Sequence, residues 1–358
     1  MEKKRIGIIS SYAYIVNNTN YGSILQYYAL QEYLKKRGHY PFWIRYVIPV
    51  HNRLRKTIKY ILFKVERINH NRLKTFLRFC KKHLNISEKI YMGEDEINLF
   101  PPIADYYITG SDQVWGSTLP ANYLTFVKEK KKKISYAASF GKSKLSEQNS
   151  QKIKVWLADF NKISVREKSG VEICNEMGLD AIQLIDPTLL LEEDDYPKVL
   201  PKLENYVYGY LINLGGVNSI DFLELEYFVK TNKIELFITT ASGFEKYVPD
   251  IYLCYPTIEE WLGYYSKAKY IITNSFHGLV FAIIFKKPFV VYLQGGINSE
   301  QNCRFYSILE SLQLTERIWT ENRKLELIFN QDIDWNIIQS KLNKMRENTN
   351  IFFDSLGL

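Results

Sequence analysis

Short apolar runs and longer segments with helical spacing alternate along the chain. Runs such as Arg5–Ser10, Phe42–Val47 and Tyr106–Thr109 are mainly apolar and have the length of single strands. The segment Ser23–Arg37 has apolar residues at helical spacing, and Gly38 follows it where a C-terminal cap would lie. Strands that alternate with helices are typical of parallel sheets covered on both faces. The pattern therefore predicts an α/β protein.

A charged, proline-containing connector at Glu192–Pro201 interrupts this alternation, which then starts again. Beyond it, the pattern predicts strands at 206–212, 235–239, 270–273 and 289–293, with helices at 258–267 and 276–285. A length of 358 residues also favours two domains. We expect two doubly wound, Rossmann-like domains, residues 1–195 and 203–330, that face each other across a cleft. Ligands of such sheets bind beyond the carboxyl ends of the strands.

The composition narrows the class of protein. With 46% hydrophobic and 24% charged residues, the chain is neither disordered nor fibrous. No apolar run reaches the length of a membrane span, and the start of the chain predicts a strand instead of a signal peptide. Four cysteines lie far apart without a CxxC pair, namely Cys80, Cys174, Cys254 and Cys303. We therefore expect reduced thiols in a cytoplasmic protein, with no zinc site and no disulfide framework.

The positive charge is concentrated in one segment. Residues 51–83 contain eleven Lys and Arg and a single acid, Glu66, whereas the net charge of the whole chain is +8. Apolar residues at helical spacing within this segment predict basic amphipathic helices over 51–84. Such helices could bind an anionic membrane surface, or they could pack on the protein with a solvated basic face. Nucleic acid is a weaker option, because no recognition motif accompanies the charge.

The segment 274–278, with the sequence Asn-Ser-Phe-His-Gly, lies between a predicted strand and a predicted helix. A helix N-terminus attracts anions, and Ser275 could cap it while His277 lies in its first turn. A histidine that faces a phosphate could donate a proton or a hydrogen bond. The alternative is a structural cap with a histidine buried in a domain interface.

Two arginines could form the remaining anion contacts. Arg166 follows a predicted strand and Arg304 follows a loop, and their guanidinium groups suit phosphate or carboxylate. An ion pair of Arg166 with Glu167 or another acid is the alternative. Asp112 is a third candidate, although a single Asp in a turn is usually structural. Motifs for dinucleotides, Walker-type nucleotides, serine hydrolases and zinc proteases are absent from the sequence.

Six segments together resemble the polysaccharide pyruvyl transferase family, in the order of that family. They are Asn20–Gln26, Gly110–Trp115, Ser135–Gly141, Ser164–Glu167, Asp186–Leu190 and Asn274–Gly278. The resemblance implies a fold like that of the two-domain GT-B glycosyltransferases, with the C-terminal helix 335–358 packed back on the first domain. It also implies transfer of the pyruvyl group of phosphoenolpyruvate onto two hydroxyls of one sugar, as a cyclic ketal, in capsule or exopolysaccharide biosynthesis.

The resemblance also implies roles for individual residues. Arg166 and His277 would handle the donor, together with Asn274, Ser275 and Gly278. The donor-binding lysine of some members has no counterpart here, and Arg304 is the nearest basic candidate. For catalysis we expect His277 as acid or phosphate partner, Arg166 as clamp and Asp112 as base. Acceptor contacts are expected from a second set of residues, namely Asn20, Tyr21, Gly22, Ser111 and Asp112.

No metal or cofactor is expected, since phosphoenolpyruvate is a co-substrate. The expected acceptor is a lipid-diphosphate-linked oligosaccharide, which the basic helices would approach at the inner face of the membrane. The protein would then be cytoplasmic and peripheral on that face. Two other readings stay open: a nucleotide-sugar glycosyltransferase of the same fold, and a non-catalytic protein that binds sugar or lipid.

Overall fold

The computed structural model describes residues 2–10, 20–47, 67–215, 220–320 and 323–358. The strands are β1 (Arg5–Ile9), β2 (Tyr40–Val47), β3 (Ile86–Met92), β4 (Tyr106–Thr109), β5 (Lys133–Ser135), β6 (Ser164–Val165), β7 (Ile182–Gln183), β8 (Tyr206–Leu211), β9 (Glu235–Thr240), β10 (Tyr270–Thr273), β11 (Phe289–Tyr292) and β12 (Ile318–Trp319). The α-helices are α1 (Tyr21–Lys36), α2 (Arg67–His83), α3 (Glu94–Leu99), α4 (Glu147–Leu157), α5 (Lys168–Glu176), α6 (Phe222–Thr231), α7 (Ile258–Lys267), α8 (Phe276–Ile284), α9 (Cys303–Leu312), α10 (Leu325–Phe329) and α11 (Trp335–Asp354).

The chain forms two compact units. The first contains residues 1–18, 23–190 and 344–358, and the second contains residues 19–22 and 191–343. Residues 20–22 therefore group with the second unit, although α1 continues from them into the first. The domain limits 1–195 and 203–330 stay a prediction.

The sheet of the first unit is parallel, with the strand order β3-β2-β1-β4-β5. The parallel pair β6-β7 continues it through isolated bridges from β5 and the residues after it to 162–165. Its core contains Ile44, Tyr107 and Phe126 on one side, and Trp115, Ile153 and Val165 in a second cluster. The predicted parallel architecture is confirmed for this unit.

The second unit has its own parallel sheet, with the order β12-β11-β10-β8-β9. Val207, Ile238, Ile272 and Val290 from four neighbouring strands lie in its buried core. Each strand is followed by a helix or a turn, so the carboxyl ends of the strands share one edge where polar loops collect.

The segment before β8 packs tightly on α7. A Cβ atom at Gly263 would lie 1.9 Å from the carbonyl oxygen of Val199, so no other side chain fits without displacing backbone. The Val199 amide also donates to the Glu259 carbonyl at 2.9 Å. Part of the charged connector is thus built into the second unit.

The end of α11 packs within the first unit. Tyr33 on α1 donates to Asn350 at 2.7 Å, and Arg37 forms an ion pair with Asp354. The ring of Phe353 lies 5.4 Å from that of Tyr33. The C-terminal residues from 344 onward are therefore part of the first unit's fold.

The basic region is described from residue 67 onward, and the predicted helix over 51–66 lies outside the described residues. The apolar side of α2 is buried through Phe76, Phe79 and Cys80, and the Phe79 ring lies 5.9 Å from that of Tyr28 on α1. Four basic residues on the other side are exposed: Lys74, Arg78, Lys81 and Lys82. This part of the segment thus packs on the protein with a solvated basic face.

Candidate functional site

In the first unit, polar residues that follow β1 and β4 form one hydrogen-bonded group with α1. Ser10 donates to the Ser111 carbonyl at 2.8 Å, and Gln26 joins both, since its amide donates to Ser10 at 3.0 Å and accepts from the Ser111 amide at 3.1 Å. Ser23 donates to Asp112 at 2.8 Å, and Asp112 also accepts from the Gln113 amide at 2.9 Å. The Asp112 carboxylate is thus held in one orientation at the carboxyl edge of the sheet.

Two residues at this edge have left-handed backbone conformations. Asp112 has φ 61° and Ala137, just after β5, has φ 46°. Left-handed conformations cost energy for residues other than glycine, and they concentrate at functional sites. The Ser111 hydroxyl lies 2.8 Å from the Ala137 carbonyl, so the two segments are in direct contact.

Arg166 lies in a buried charged group with Glu167 and Asp186. Its Nε is 2.8 Å from Glu167 and a terminal nitrogen is 2.8 Å from Asp186, and the arginine and Asp186 side chains are 2% and 0% exposed. Asp186 also accepts from the Thr188 amide at 3.0 Å and hydroxyl at 2.7 Å, and lies 3.0 Å from the Ser111 hydroxyl. Burial alone would lower the pKa of Arg166, but these carboxylates outweigh it and raise the pKa, so the arginine stays charged.

This arrangement is the ion-pair alternative for Arg166. Two carboxylates already neutralise the guanidinium, and the chain buries it among them. A buried charge pair depends on both partners, because removing one leaves an uncompensated charge. Direct contact of Arg166 with a donor stays a prediction, whereas its contact with the Ser111–Asp112 segment through Asp186 is part of the structure.

In the second unit, His277 lies in the first turn of α8, as the sequence predicts. Its side chain is 4% exposed and packs against the backbone of Gly22. A Cβ atom at residue 22 would lie 2.2 Å from both Cγ and Nδ1 of the imidazole. Only glycine at this position lets the ring occupy its place, so Gly22 positions His277.

The neighbours of His277 in the same motif have mainly packing contacts. Ser275 is the N-cap residue, but its hydroxyl makes no capping bond, and its backbone amide donates to the Thr273 hydroxyl at 3.0 Å. A Cβ at Gly278 would lie 2.0 Å from the Thr273 hydroxyl and 3.0 Å from that of Tyr265, so this glycine permits close packing of α8 on the sheet. The predicted cap by the Ser275 side chain is therefore wrong, because the preceding Thr273 bonds the turn instead.

Asn274 joins two strand ends. Its side chain accepts from the Ile212 amide and donates to the Ile212 carbonyl, both at 2.7 Å. These bonds continue the pairing of β8 and β10 by one step beyond the strands. The structure thus uses the Asn274 side chain to fix the start of α8.

Arg304 lies in the first turn of α9, where it meets the start of α8. Its guanidinium is held by Gln301, at 3.1 Å to the carbonyl and 2.8 Å to the side chain. The guanidinium carbon lies 5.8 Å from the centre of the Phe276 ring, and that ring lies 5.4 Å from the imidazole of His277. The structure therefore brings Arg304 and the His277 turn together within one unit.

The predicted acceptor residues Asn20 and Tyr21 lie beside this region. Tyr21 is buried, stacks on Trp261 at 5.1 Å and donates to the Pro256 carbonyl at 2.7 Å. Asn20 accepts from the Tyr210 hydroxyl at 3.4 Å. These contacts hold the start of α1 against the second unit's aromatic core, and acceptor binding by these residues stays a prediction.

Several residues that bond to predicted site residues are not themselves part of the predicted site. Ser23, Gln26 and Thr188 contact predicted residues, and so do Gln294 and Asn302 after β11. The Asp186-Pro187-Thr188 spacing is typical of a turn in which an Asp bonds the residue two positions later. For the others, the partners are far apart in sequence, so no local signal identifies them.

Two kinds of feature are absent from the described ranges. In that part of the chain no three His, Cys, Asp or Glu side chains are arranged to hold a metal ion. Of the helices within those ranges, none combines the length and the hydropathy needed to cross a bilayer.

Solved structures show that the fold is shared with sugar-nucleotide enzymes. A protein described as a UDP-N-acetylglucosamine 2-epimerase from Listeria monocytogenes is 13% identical with a TM-score of 0.54, covering 97% of this chain and 91% of its own. A UDP-GlcNAc 2-epimerase from Methanocaldococcus jannaschii is 12% identical with a TM-score of 0.53, covering 96% and 94%. At these identities the likeness shows the fold alone, which is the GT-B-like class with two Rossmann-like halves.

The sequence comparisons address the family. No curated protein sequence matches the chain. The family model for polysaccharide pyruvyl transferase matches residues 20–294, a range that contains Asp112, Arg166 and His277. Because that match covers well over half of its length, the chain belongs to the polysaccharide pyruvyl transferase family.

Proposed function

We propose that the protein transfers the pyruvyl group of phosphoenolpyruvate onto two hydroxyls of one sugar, as a cyclic ketal, in capsule or exopolysaccharide biosynthesis. One observation carries the proposal: the Arg304 guanidinium lies against the ring of Phe276, next to His277 in the first turn of α8. Phosphoenolpyruvate carries a phosphate and a carboxylate, and this turn offers a guanidinium, an imidazole and the positive end of a helix dipole.

The donor charge is assigned to Arg304 and to the start of α8. Arg166 is already paired with two carboxylates, which offset its positive charge. In this proposal Arg166 orients residues of the first unit. It binds Asp186, which in turn bonds to Ser111, the neighbour of Asp112. This assignment departs from the sequence-based hypothesis of an arginine pair that clamps the donor.

The reaction removes two protons from the sugar hydroxyls and delivers one to the methylene carbon and one to the leaving phosphate. Protonation of the methylene carbon makes C2 electrophilic, a sugar hydroxyl attacks C2, and a second hydroxyl closes the ring as inorganic phosphate leaves. His277 is proposed as the acid or as the phosphate partner, and Asp112 as the base for a hydroxyl. The bonds from Ser23 and from the Gln113 amide would orient that base.

The proposed acceptor is an oligosaccharide linked to a lipid diphosphate at the inner face of the membrane. The exposed basic side of α2 would attract anionic lipid. Because the apolar side of α2 is buried on the protein, the attraction would be ionic, without insertion of the helix.

Sedimentation with vesicles tests the membrane proposal. Binding to vesicles with anionic phosphatidylglycerol should fall as salt rises and should be weaker for Lys81→Glu/Lys82→Glu. The matched control is Lys128→Glu/Lys131→Glu, which changes the net charge equally at another exposed site. Equal binding by both double variants would refute a role for α2.

Calorimetric titration of phosphoenolpyruvate into the protein tests the proposed donor. We expect the parent to bind, and His277→Ala and Arg304→Ala to lose about tenfold or more in affinity, whereas Arg166 variants that fold should bind. Binding of UDP- or GDP-sugars in place of phosphoenolpyruvate would favour the glycosyltransferase alternative. That alternative has support in the fold, since the Methanocaldococcus structure contains UDP-GlcNAc and UDP. Binding of neither would favour a non-catalytic protein.

A further inference from the structure

Gln294, two residues beyond β11, has hydrogen bonds on all four of its polar groups. Its backbone amide donates to the Asn302 side chain at 3.0 Å, and its backbone carbonyl accepts from the same side chain at 2.8 Å. Its side-chain amide donates to the Asn274 carbonyl at 3.0 Å and accepts from Asn213 at 3.1 Å. Gln294 is 3% exposed, so these bonds form away from solvent.

The partners of Gln294 stand directly before the two helices of the proposed donor site. Asn274 precedes Ser275, the N-cap of α8, and its own side chain is fixed to Ile212 at the end of β8. Asn302 is the N-cap residue of α9, two positions before Arg304. Gln294 therefore bonds both to the segment that places His277 and to the segment that places Arg304.

We propose that Gln294 is a positioning residue that sets the spacing between His277 and Arg304, and thereby the affinity for a donor with two anionic groups. The inference rests on the proposed function, because it takes both residues as donor contacts. A buried amide with all its groups paired allows little movement, since each lost bond leaves a desolvated polar group. The positions of the two helix starts are then coupled through one side chain.

The separation between His277 and Arg304 affects the affinity of a ligand that contacts both residues, and it does not affect the affinity of a ligand that contacts only one. Phosphoenolpyruvate has two anionic groups at a fixed separation, so a shift of one contact weakens the other. Inorganic phosphate needs a single anion contact and is insensitive to the separation. The difference between these two ligands distinguishes positioning from general damage to the fold.

The test compares Gln294→Met with the parent by titration of phosphoenolpyruvate and of inorganic phosphate. Methionine has a similar length but makes none of the side-chain bonds. We expect the Kd for phosphoenolpyruvate to rise about tenfold or more, and the Kd for phosphate to change less than twofold. Gln339→Met on α11 serves as the matched control, and it should bind both ligands like the parent.

A second variant keeps the test valid if Gln294→Met does not fold. Asn302→Leu keeps the approximate size of the side chain and removes both of its bonds to the Gln294 backbone, without adding charge near Arg304. The same selective loss of phosphoenolpyruvate affinity is expected, with the thermal unfolding of each variant measured alongside.

Three results would count against the proposal. Parental affinity for phosphoenolpyruvate in folded variants would overturn the role of Gln294 while leaving the proposed function in place. An equal loss for both ligands would show a merely structural role. Failure of the parent itself to bind phosphoenolpyruvate would overturn the proposed function, and the positioning role with it.

Discussion

The contact between Gly22 and His277 predicts a large effect from a small substitution, Gly22→Ala. The added Cβ would lie 2.2 Å from Cγ and Nδ1 of the ring, whereas ordinary contacts begin at 3.4 Å. The imidazole must therefore retreat by about 1.2 Å. Displacement of a catalytic group by about 1 Å can cost about 100-fold in rate, or about 2.7 kcal/mol of barrier.

The fold should tolerate this substitution better than the site does. Gly22 is the second residue of α1 and has an ordinary φ, and alanine is favoured over glycine in helices by up to about 1 kcal/mol. We expect Gly22→Ala to melt within a few degrees of the parent. Titration calorimetry should show a loss of phosphoenolpyruvate affinity of about tenfold or more, and turnover should fall by about 100-fold.

A double variant shows whether the effect passes through the imidazole. The His277 Cβ itself would lie 2.4 Å from the new methyl group, so the background must be His277→Gly and not His277→Ala. In that background Gly22→Ala should cause no further loss. Parental affinity and turnover in Gly22→Ala, or an undiminished loss in the His277→Gly background, would refute the reasoning.

Three further predictions concern the first unit. Asp186→Asn leaves Arg166 without one of its buried carboxylates and should destabilise the protein by about 3–5 kcal/mol, seen by calorimetry as a melting point lower by about 10 °C; an unchanged melting point would contradict this. Burial raises the pKa of the Cys80 thiol to about 12, so mass spectrometry should show little alkylation of Cys80 in the native protein at pH 8, and rapid labelling would contradict this. The same shift should contribute stability that is present below about pH 9 and lost as pH rises from about 9 to 12. Asp112→Asn should lower kcat by about 100-fold or more and leave phosphoenolpyruvate affinity unchanged, and a loss of donor affinity would argue against its role as base.

The regular part of the fold could be predicted from the sequence. Tyr106–Thr109, Ile258–Lys267 and Tyr270–Thr273 are observed with the predicted bounds. These segments are buried runs or have clear helix signals, such as Thr257 and Glu260 in a capping box. Where an element is buried on one face and capped by its own residues, local sequence is sufficient.

Strand β3 and helix α4 are among the elements that were not predicted, and of these two only β3 lacks a sequence signal. In β3 the residues Glu88, Lys89 and Ile90 are all exposed, because this strand lies at the edge of its sheet, and its pattern does not alternate. Helix α4 has a serine cap that is visible in the sequence, since the Ser146 hydroxyl accepts from the Asn149 amide.

The candidate site could be predicted only as separate pieces. Position at a strand end marked Asp112 and His277, but the residue that holds each one, Ser23 or Gly22, is distant in sequence and chemically plain. The charge of Arg166 suggested a ligand, and only the fold shows that Asp186 lies 2.8 Å away. Pairing across long separations is a property of packing, which local patterns do not contain.

The contact of Gly263 with Val199 has a practical consequence for dividing the protein. A shortened chain that begins at the predicted domain start, residue 203, would lose the backbone that covers Gly263. It would expose to water a helix surface that is buried in the intact protein. A fragment of the second unit should begin near residue 191 instead. The first unit offers no single continuous fragment, because its last residues, from 344 onward, return after the whole second unit has been made. During synthesis, α1 therefore meets its partners in residues 344–358 only after the second unit has been made.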